Sequence, residues 1–188
     1  MDSRFKTWAD FEKEAKANPG KLKVAVLGLG SIDDVTLRYL GSKGIKTNAV
    51  PFSNPGERYV SILGGHADAL YEQAGDVRQM LDNKQMRPLL IFANERVSEF
   101  KDIPVSKELG YNVTLPQFRS IIVKAGTPPE RVKFLADAIA KAAASPDYKA
   151  FLKDSYADPN SFVGPDEADK FLKHEMDALA ALVASVGK

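Results

Sequence analysis

Short apolar runs alternate with amphipathic stretches over the first half of the chain. Three of the apolar runs have the length of a β-strand, at residues 22–27, 47–52 and 67–71. Four stretches have the spacing or the boundary residues of a helix, at residues 7–18, 31–42, 54–63 and 76–82. Alternation of this kind predicts an α/β fold with a mostly parallel sheet flanked by helices.

Residues that cap helices support these helix boundaries. Thr7 is followed three residues later by Asp10, Ser31 stands directly before an amphipathic stretch, and Asn54 precedes Pro55. Apolar residues at helical spacing are expected to face the core, and those of the third helix and of a later helix are Val60, Ile62, Leu63 and Phe134.

The second half of the chain has a different organisation. A fourth apolar run at residues 86–93 contains Pro88, which predicts a strand at a sheet edge. Residues 118–125 form a last apolar run, and only helices follow it, at residues 129–144, 146–155 and from Pro165 onward. One strand followed by helices cannot form a sheet alone. The run at 118–125 therefore either joins the first sheet or pairs with a partner outside this chain.

Composition narrows the functional classes. The chain has 188 residues, a hydrophobic fraction of 44% and a net charge of +1, which suit one α/β domain or slightly more. The charges form no basic block, so we expect no nucleic-acid partner. No apolar run approaches the roughly 20 residues of a membrane helix, and cysteine is absent. No basic and apolar leader opens the chain, so we expect any export signal to lie outside this sequence.

The turn Gly28-Leu29-Gly30 and the following Ser31 form the first candidate site. A glycine turn between a strand and a helix collects backbone N–H groups at the carboxyl end of the strand, and such groups favour anions. The third glycine of a dinucleotide fingerprint is missing, because Asp33 occupies its place. A small anion such as a carboxylate therefore fits better than a nucleotide. A plain tight turn, with Ser31 acting only as a helix cap, is the alternative.

Two further positions extend this candidate site. The turn after the second predicted strand offers Ser53 as a hydrogen-bond donor and Phe52 as an apolar wall. Asp68 stands in an otherwise apolar run, and a buried carboxylate needs a partner or water. Asp68 therefore either ends a strand at a cleft or bonds to a neighbouring turn.

Catalysis has little support in the sequence. The two histidines, His66 and His174, lie in no metal-ligand spacing, and no nucleophile motif is present. We expect no metal and no cofactor. A small α/β enzyme that acts on an anionic metabolite stays open as an alternative, with Asp33, Asp68 and His66 as its candidate acids or bases.

Eight segments in a fixed order carry a family resemblance. They are Thr7-Trp8-Ala9-Asp10-Phe11, Ala17-Asn18-Pro19-Gly20-Lys21-Leu22, Gly28-Leu29-Gly30-Ser31, Val50-Pro51-Phe52, Leu63-Gly64-Gly65-His66-Ala67-Asp68-Ala69, Arg87-Pro88-Leu89-Leu90, Ile103-Pro104-Val105-Ser106-Lys107-Glu108-Leu109-Gly110 and Ala125-Gly126-Thr127-Pro128-Pro129-Glu130. In this order the chain resembles the periplasmic substrate-binding proteins of tripartite tricarboxylate transporters, the Bug family.

The resemblance implies a two-lobed flytrap fold, the type II fold of periplasmic binding proteins, which closes on a small organic carboxylate. Residues 7–115 would form the second lobe, and residues 116–188 would be a C-terminal, mostly helical segment that returns to the first lobe. The expected ligand-binding residues, including those of the glycine turn, are Gly28, Gly30, Ser31, Phe52, Ser53 and Asp68. The implied partners are the carboxylate and the membrane permease subunits, and the implied location is the periplasm.

The chain departs from the family in two places. Family members carry a long segment before the position that matches Met1, so we expect a truncated product or one half of a split receptor. Residues 117–120 also differ from the family pattern. Without the long preceding segment, the strand predicted at 118–125 would lack the sheet that it joins in the family. An unpaired apolar strand favours a homodimer. A dimerisation module without ligand is accordingly a third hypothesis.

Overall fold

The computed structural model describes residues 3–114 and 116–187. Met1, Leu115 and Lys188, where the predicted segments begin or end, lie outside the described residues. The chain divides into two compact units, Met1–Leu115 with Ala178–Lys188, and Pro116–Asp177.

The first unit has the predicted α/β architecture. Its elements, in chain order, are α1 (Trp8–Ala17), β1 (Lys23–Val26), α2 (Ile32–Ser42), β2 (Asn48–Pro51), α3 (Pro55–Leu63), β3 (Ala69–Leu70) and α4 (Arg78–Asp82). Two short 3₁₀ helices follow, Ser98–Phe100 and Ser106–Leu109.

The three strands form one parallel sheet in the order β2-β1-β3. On one side of β1, Val26 lies opposite Pro51, and on the other side Ala25 lies opposite Leu70. Because both neighbours are parallel to β1, the carboxyl ends of all three strands lie at the same edge. This register brings the turns after β1, β2 and β3 side by side.

The predicted helix caps are confirmed. The Asp10 N–H donates to Thr7 Oγ1 at 3.2 Å, and the Thr7 N–H donates to Asp10 Oδ2 at 2.9 Å, which forms a capping box. The bonds that Asp10 accepts from the Lys6 and Thr7 N–H groups lower the pKa of this exposed carboxyl. Asn54 Oδ1 accepts from the Gly56 N–H at 2.8 Å. Each cap therefore fixes where its helix begins.

The core lies within the first unit. Side chains of β1, α1 and α2 form it, together with Leu182 from the end of the last helix. Trp8 and Phe11 stack with their ring centroids 5.4 Å apart, and Tyr111 meets Trp8 edge-on. The Tyr39 hydroxyl accepts from the Asn112 N–H at 3.0 Å. These contacts connect the first helices to the chain that follows the sheet.

The strand predicted at residues 86–93 was wrong. The chain there makes a single parallel bridge, between Ile91 and Val105. Pro88 has no N–H to give to a ladder, so regular pairing does not extend through this stretch.

The inward face predicted for α3 was also wrong. Val60 is 64% exposed and Leu63 is exposed, whereas Arg58 and Ser61 are buried. A polar network at one end of the sheet, described below, determines which side of α3 faces inward.

The second unit contains α5 (Pro129–Ala143), α6 (Pro146–Asp154) and most of α7 (Pro165–Val186). None of its described residues is buried, and Phe134, expected in a core, is exposed. The strand predicted at residues 118–125 is not formed, because no strand within the described ranges pairs with it, and Ile122 is 85% exposed. None of the helices in the described ranges combines the length and hydropathy of a membrane-spanning helix.

Candidate functional site

At the carboxyl edge of the parallel sheet, the loops after β1, β2 and β3 lie side by side although they are far apart in the sequence. The Phe52 N–H donates to the Val26 carbonyl at 2.9 Å, so the turn after β2 begins beside the turn after β1. On the other side, the Tyr71 N–H donates to the Ala25 carbonyl at 3.3 Å. The β1 turn is central, since β1 is the middle strand. Ligands of open α/β sheets bind at such an edge.

Five predicted site residues stand in the first two loops. They are Gly28, Gly30, Ser31, Phe52 and Ser53. Ser31 is the N-cap of α2, and its Oγ lies 3.4 Å from the Asp34 nitrogen that donates to it. Ser53 is exposed and Phe52 is half-buried. The structure therefore presents two small hydroxyls and an aromatic ring near the same edge.

The glycine turn is tight and faces open space. The Ser31 N–H donates to the Gly28 carbonyl at 3.2 Å, which closes the turn, and Gly30 has a φ of +80°. Such a φ favours glycine over any residue with a side chain. Apart from the adjoining residues, no atom lies within 4 Å of a Cβ placed on Gly28 or Gly30, and Leu29 is 74% exposed.

Two N–H groups of this turn are already engaged by carboxylates of the chain itself. The Leu27 N–H donates to Asp33 Oδ2, and the Gly30 N–H donates to Asp34 Oδ2, each at 2.8 Å. The N–H groups of Gly28 and Leu29 make no hydrogen bond to any part of the chain that the structure describes. The turn thus has fewer N–H groups available to an anion than its sequence suggests. The two available ones, those of Gly28 and Leu29, are adjacent.

A buried ionic cluster lies among the same three loops. Arg58, on α3, is 2% exposed; its Nη1 lies 3.7 Å from Asp33 Oδ2, and its Nη2 donates to Glu72 Oε2 at 2.5 Å. Nη1 also donates to the Tyr71 carbonyl at 3.3 Å. Breaking such a buried pair costs about 3 to 5 kcal/mol, because the remaining charge is left uncompensated.

Two tyrosines near the cluster have raised pKa values. Burial raises the pKa of Tyr71 to about 12; the Asp33 charge acts in the same direction, and a hydrogen bond with Thr36 opposes it. Burial, followed by a hydrogen bond to Glu72, raises the pKa of Tyr59 to about 12. Both phenols are therefore neutral near pH 7.

Asp68 lies at the opposite edge of the sheet. β3 begins only at Ala69, so Asp68 precedes the strand and does not end it. Asp68 Oδ2 accepts from the N–H of Lys23, the first residue of β1, at 2.9 Å. Its Oδ1 accepts from Arg4 Nη2 at 3.1 Å. Of the two roles the sequence allowed, the structure gives Asp68 the bond to a neighbouring segment, and Asp68 does not join the glycine turn.

The alternative enzyme site is not assembled. Asp33 is buried against Arg58 at the carboxyl edge, whereas Asp68 bonds at the amino edge. His66 is exposed in the loop after α3 and lines an open, largely apolar groove of about 490 Å³. The groove also includes Phe52 and Asn54 from the turn after β2. Within the described ranges, no group of three or more acidic or histidine side chains could hold a metal ion.

Sequence reasoning missed Arg58 and Glu72. Glu72 directly follows the third apolar run, as the glycine turn directly follows the first, and that position was the available signal. Arg58 gave no signal in the hydrophobic pattern, because charged residues are expected on the outer face of a helix.

The comparisons with known proteins identify the family. The profile of the family described as "Tripartite tricarboxylate transporter family receptor" (TctC) matches residues 1–187. The chain belongs to this family, and the resemblance seen in the sequence is confirmed.

Two curated relatives show the extent of the match. A UPF0065 protein from the gbd 5′ region of Cupriavidus necator is 30% identical over 152 residues, which are 80% of this chain and 46% of that protein. BugT of Bordetella pertussis is 27% identical over 177 residues, which are 93% of this chain and 54% of BugT. The chain spans about half the length of these relatives.

Solved structures share the fold. A Rhodopseudomonas palustris protein solved with adipate has a TM-score of 0.81 at 19% identity, and the match covers all of this chain and 63% of that one. MatC from the same species, solved with bound malate, has a TM-score of 0.74 at 21% identity over 99% of this chain and 64% of MatC. At these identities the likeness shows the fold.

The raised pKa of Tyr71 predicts a loss of stability in alkali. Below pH 10 both the folded and the unfolded states keep the phenol proton. Between pH 10 and about 12 the unfolded state loses it first, so the free energy of unfolding falls by roughly 2 to 3 kcal/mol. Tyr71→Phe should remove this part of the alkaline loss in urea unfolding curves. Tyr148→Phe, an exposed site in the other unit, is the control. Equal alkaline loss in the Tyr71→Phe variant and the parent would contradict the assignment.

Proposed function

We propose that this protein is a solute-binding receptor that binds a small organic carboxylate at the carboxyl edge of its parallel sheet. The chain belongs to a family of transporter receptors. The observation that carries the proposal is its glycine turn, which has two adjacent N–H groups without a partner in the described chain and Ser31 Oγ at the start of α2. The N-terminus of a helix favours a negative charge, and its N–H groups are directed toward the ligand.

The proposed ligand site consists of Gly28, Gly30, Ser31, Phe52 and Ser53. The loops at this edge, residues 27–32, 52–57 and 71–76, contain no lysine or arginine, and Arg58, which directly follows the second of them, is buried and engaged. Hydrogen bonds from backbone N–H groups and hydroxyls therefore hold the carboxylate, and Phe52 contacts its carbon chain. Asp68, bound at the other edge, has a structural role in this proposal.

Solved structures that share this fold support a small carboxylate as the ligand. One of those proteins was solved with adipate and another with malate. Hydrogen bonds to a charged group contribute about 1.5 to 3 kcal/mol each, and association has its own cost. A few such bonds correspond to a dissociation constant in the millimolar range, about 4 kcal/mol of binding. Binding to this chain is therefore sought at millimolar ligand.

The receptor binds its ligand without transforming it. The separation of Asp33, Asp68 and His66 supports this, since general acid–base catalysis needs its groups within hydrogen-bond reach of one substrate. Residues 7–115 form the second lobe of a flytrap, and residues 116–188 belong with the first lobe. The receptor works in the periplasm and delivers the carboxylate to the membrane subunits of a tripartite tricarboxylate transporter.

Copies of this chain also associate through residues 116–124, which lie before α5 and belong to no helix or strand. Four apolar side chains are exposed there, those of Phe118, Ile121, Ile122 and Val123. In the part of the chain that the structure describes, residues 116–123 make no backbone–backbone hydrogen bond. An unpaired strand of this composition is a template for pairing with another chain.

A charge placed at the glycine turn tests the ligand site. A ligand that binds only the folded state raises the thermal unfolding midpoint, so adipate or malate should raise the midpoint of the parent chain. Ser31→Asp should abolish the rise, because its carboxylate repels an anion while still capping α2. Ser31→Asn caps equally well without charge, and we expect it to keep most of the rise.

Ser145→Asp is the second control for this experiment, because Ser145 caps α6 in the other unit. It should leave the ligand response unchanged. A parent chain with no response to any carboxylate would contradict the proposed function. An equal response in the Ser31→Asp and Ser31→Asn variants would move the site away from this turn.

A lysine within residues 116–124 tests the association. Gel filtration of the parent should show a mass that rises with concentration, and Ile122→Lys should keep the chain monomeric because a charge at the pairing edge opposes pairing. Val60→Lys, a change at an exposed position on α3, is the control. A parent that runs as a monomer at every concentration would contradict the association.

A further inference from the structure

We propose that Arg58 is the positioning residue of the glycine turn, and so of the ligand site that the proposed function places there. Among the residues that the structure describes, no hydrogen bond or ion pair joins the Arg58 side chain to the turn. It acts through Asp33, whose Oδ2 faces the guanidinium on one side and accepts the Leu27 N–H on the other. Nothing in the family assignment gives Arg58 this role.

One guanidinium connects all three loops of the carboxyl edge. Arg58 is carried by α3, which follows β2; Asp33 belongs to α2, which follows β1; Tyr71 and Glu72 follow β3. The distances are 3.7 Å to Asp33 Oδ2, 3.3 Å to the Tyr71 carbonyl and 2.5 Å to Glu72 Oε2. The planar fork of arginine can serve several acceptors at fixed angles, which the single ammonium of lysine cannot do.

Arg58 is buried too deeply to bind a ligand itself. The residue is 2% exposed, and both Nη atoms face acceptors of the chain. Its Nε has no acceptor among the described residues. A buried donor without a partner is a cost that the surrounding contacts must offset. The fork is therefore held by its Nη contacts, and a carboxylate ligand meets the turn rather than the guanidinium.

Asp33 transmits this position to the turn. Its carboxylate fixes the Leu27 N–H, and Leu27 directly precedes the two N–H groups that are left for an anion, those of Gly28 and Leu29. With the Leu27 N–H bound inward and the Gly30 N–H bound by Asp34, the two intervening N–H groups are fixed between held neighbours. Arg58 thereby sets the direction of donors to which it makes no hydrogen bond itself.

Amide hydrogen exchange of the full chain tests the proposal without a ligand. In Arg58→Lys, Asp33 loses the guanidinium that holds its carboxylate in place, and the hydrogen bond from the Leu27 N–H to that carboxylate is weakened. The Leu27 amide should therefore exchange roughly tenfold faster or more. The Gly30 amide, held by Asp34, should change much less. A merely structural role would raise exchange at all amides of the first unit by the same factor.

The chain offers a matched control. Arg38 pairs with Asp34, its Nε lying 3.4 Å from Asp34 Oδ2, as Arg58 pairs with Asp33. Arg38→Lys should leave the Leu27 amide unchanged. Asp33→Asn should reproduce the Leu27 effect, and adding Arg58→Lys to it should produce no further increase, because both changes act on one pathway.

Two results would overturn the proposal. One is a Leu27 amide that exchanges in Arg58→Lys no faster than the Gly30 amide does; the other is independent, additive effects of Arg58→Lys and Asp33→Asn. If Arg58→Lys does not fold, Glu72→Gln carries the same comparison of Leu27 with Gly30, because it weakens the contact that holds Arg58 and leaves Asp33, the acceptor of the Leu27 N–H, in place. A Leu27 amide that exchanges no faster than the Gly30 amide in Glu72→Gln is again contradictory.

Separate measurements test the proposed function and the role of Arg58. The thermal response of the parent chain to adipate or malate decides whether the turn binds a carboxylate. The exchange data decide whether Arg58 positions the turn. Where the parent does bind, Arg58→Lys should weaken the midpoint response more than Arg38→Lys does, and an equal response in the two variants would contradict a positioning role at the ligand site.

Discussion

Parallel pairing on both sides of β1 is the constraint on which the rest of the site depends. It places the carboxyl ends of three strands at one edge. The loops that follow them, residues 27–32, 52–57 and 71–76, therefore lie side by side although they are far apart in the sequence. The helices that follow return from that edge, and the N-terminus of α2 is directed at it. An antiparallel neighbour would have brought the start of a strand to this edge instead of a turn.

Charge at this edge is arranged within the protein before any ligand binds. The carboxylates of Asp33 and Asp34 occupy the outer N–H groups of the glycine turn, and the Arg58 guanidinium compensates Asp33 and Glu72 below it. Burial of these groups is tolerated because each charge faces an opposite charge or an N–H group. The consequence is a turn with few donors in fixed directions. In the proposed function, this turn recognises a carboxylate through hydrogen bonds rather than through an exposed cation.

Local signals explain what the sequence predicted correctly. The caps Thr7, Ser31 and Asn54 and the alternation of strands with helices depend on residues a few positions apart, and the structure has them nearly at the predicted boundaries. Five of the six expected site residues stand in loops of one edge, because parallel topology follows from that alternation. The association of those loops with a ligand stays a prediction.

Long-range contacts explain what the sequence could not predict. The burial of Arg58 depends on Glu72, 14 residues away, and on Asp33 in another βα unit, so the pattern of α3 alone pointed to the wrong face. Asp68 lies at the far edge because it precedes β3, whose first residue, Ala69, pairs near the start of β1. The run at 118–125 has the composition of a strand, but a strand forms only with a partner, and the described chain provides none.

The central claim is that the carboxyl edge of the sheet binds a small carboxylate. The most direct test is to titrate the isotope-labelled chain with adipate and follow its amide resonances. The account predicts saturable shifts of the Gly28, Leu29, Ser31 and Ser53 amides, with Lys23 and Ala69 at the amino edge unmoved. Shifts confined to the amino edge or to the second unit, or no saturable shift at all, would contradict it.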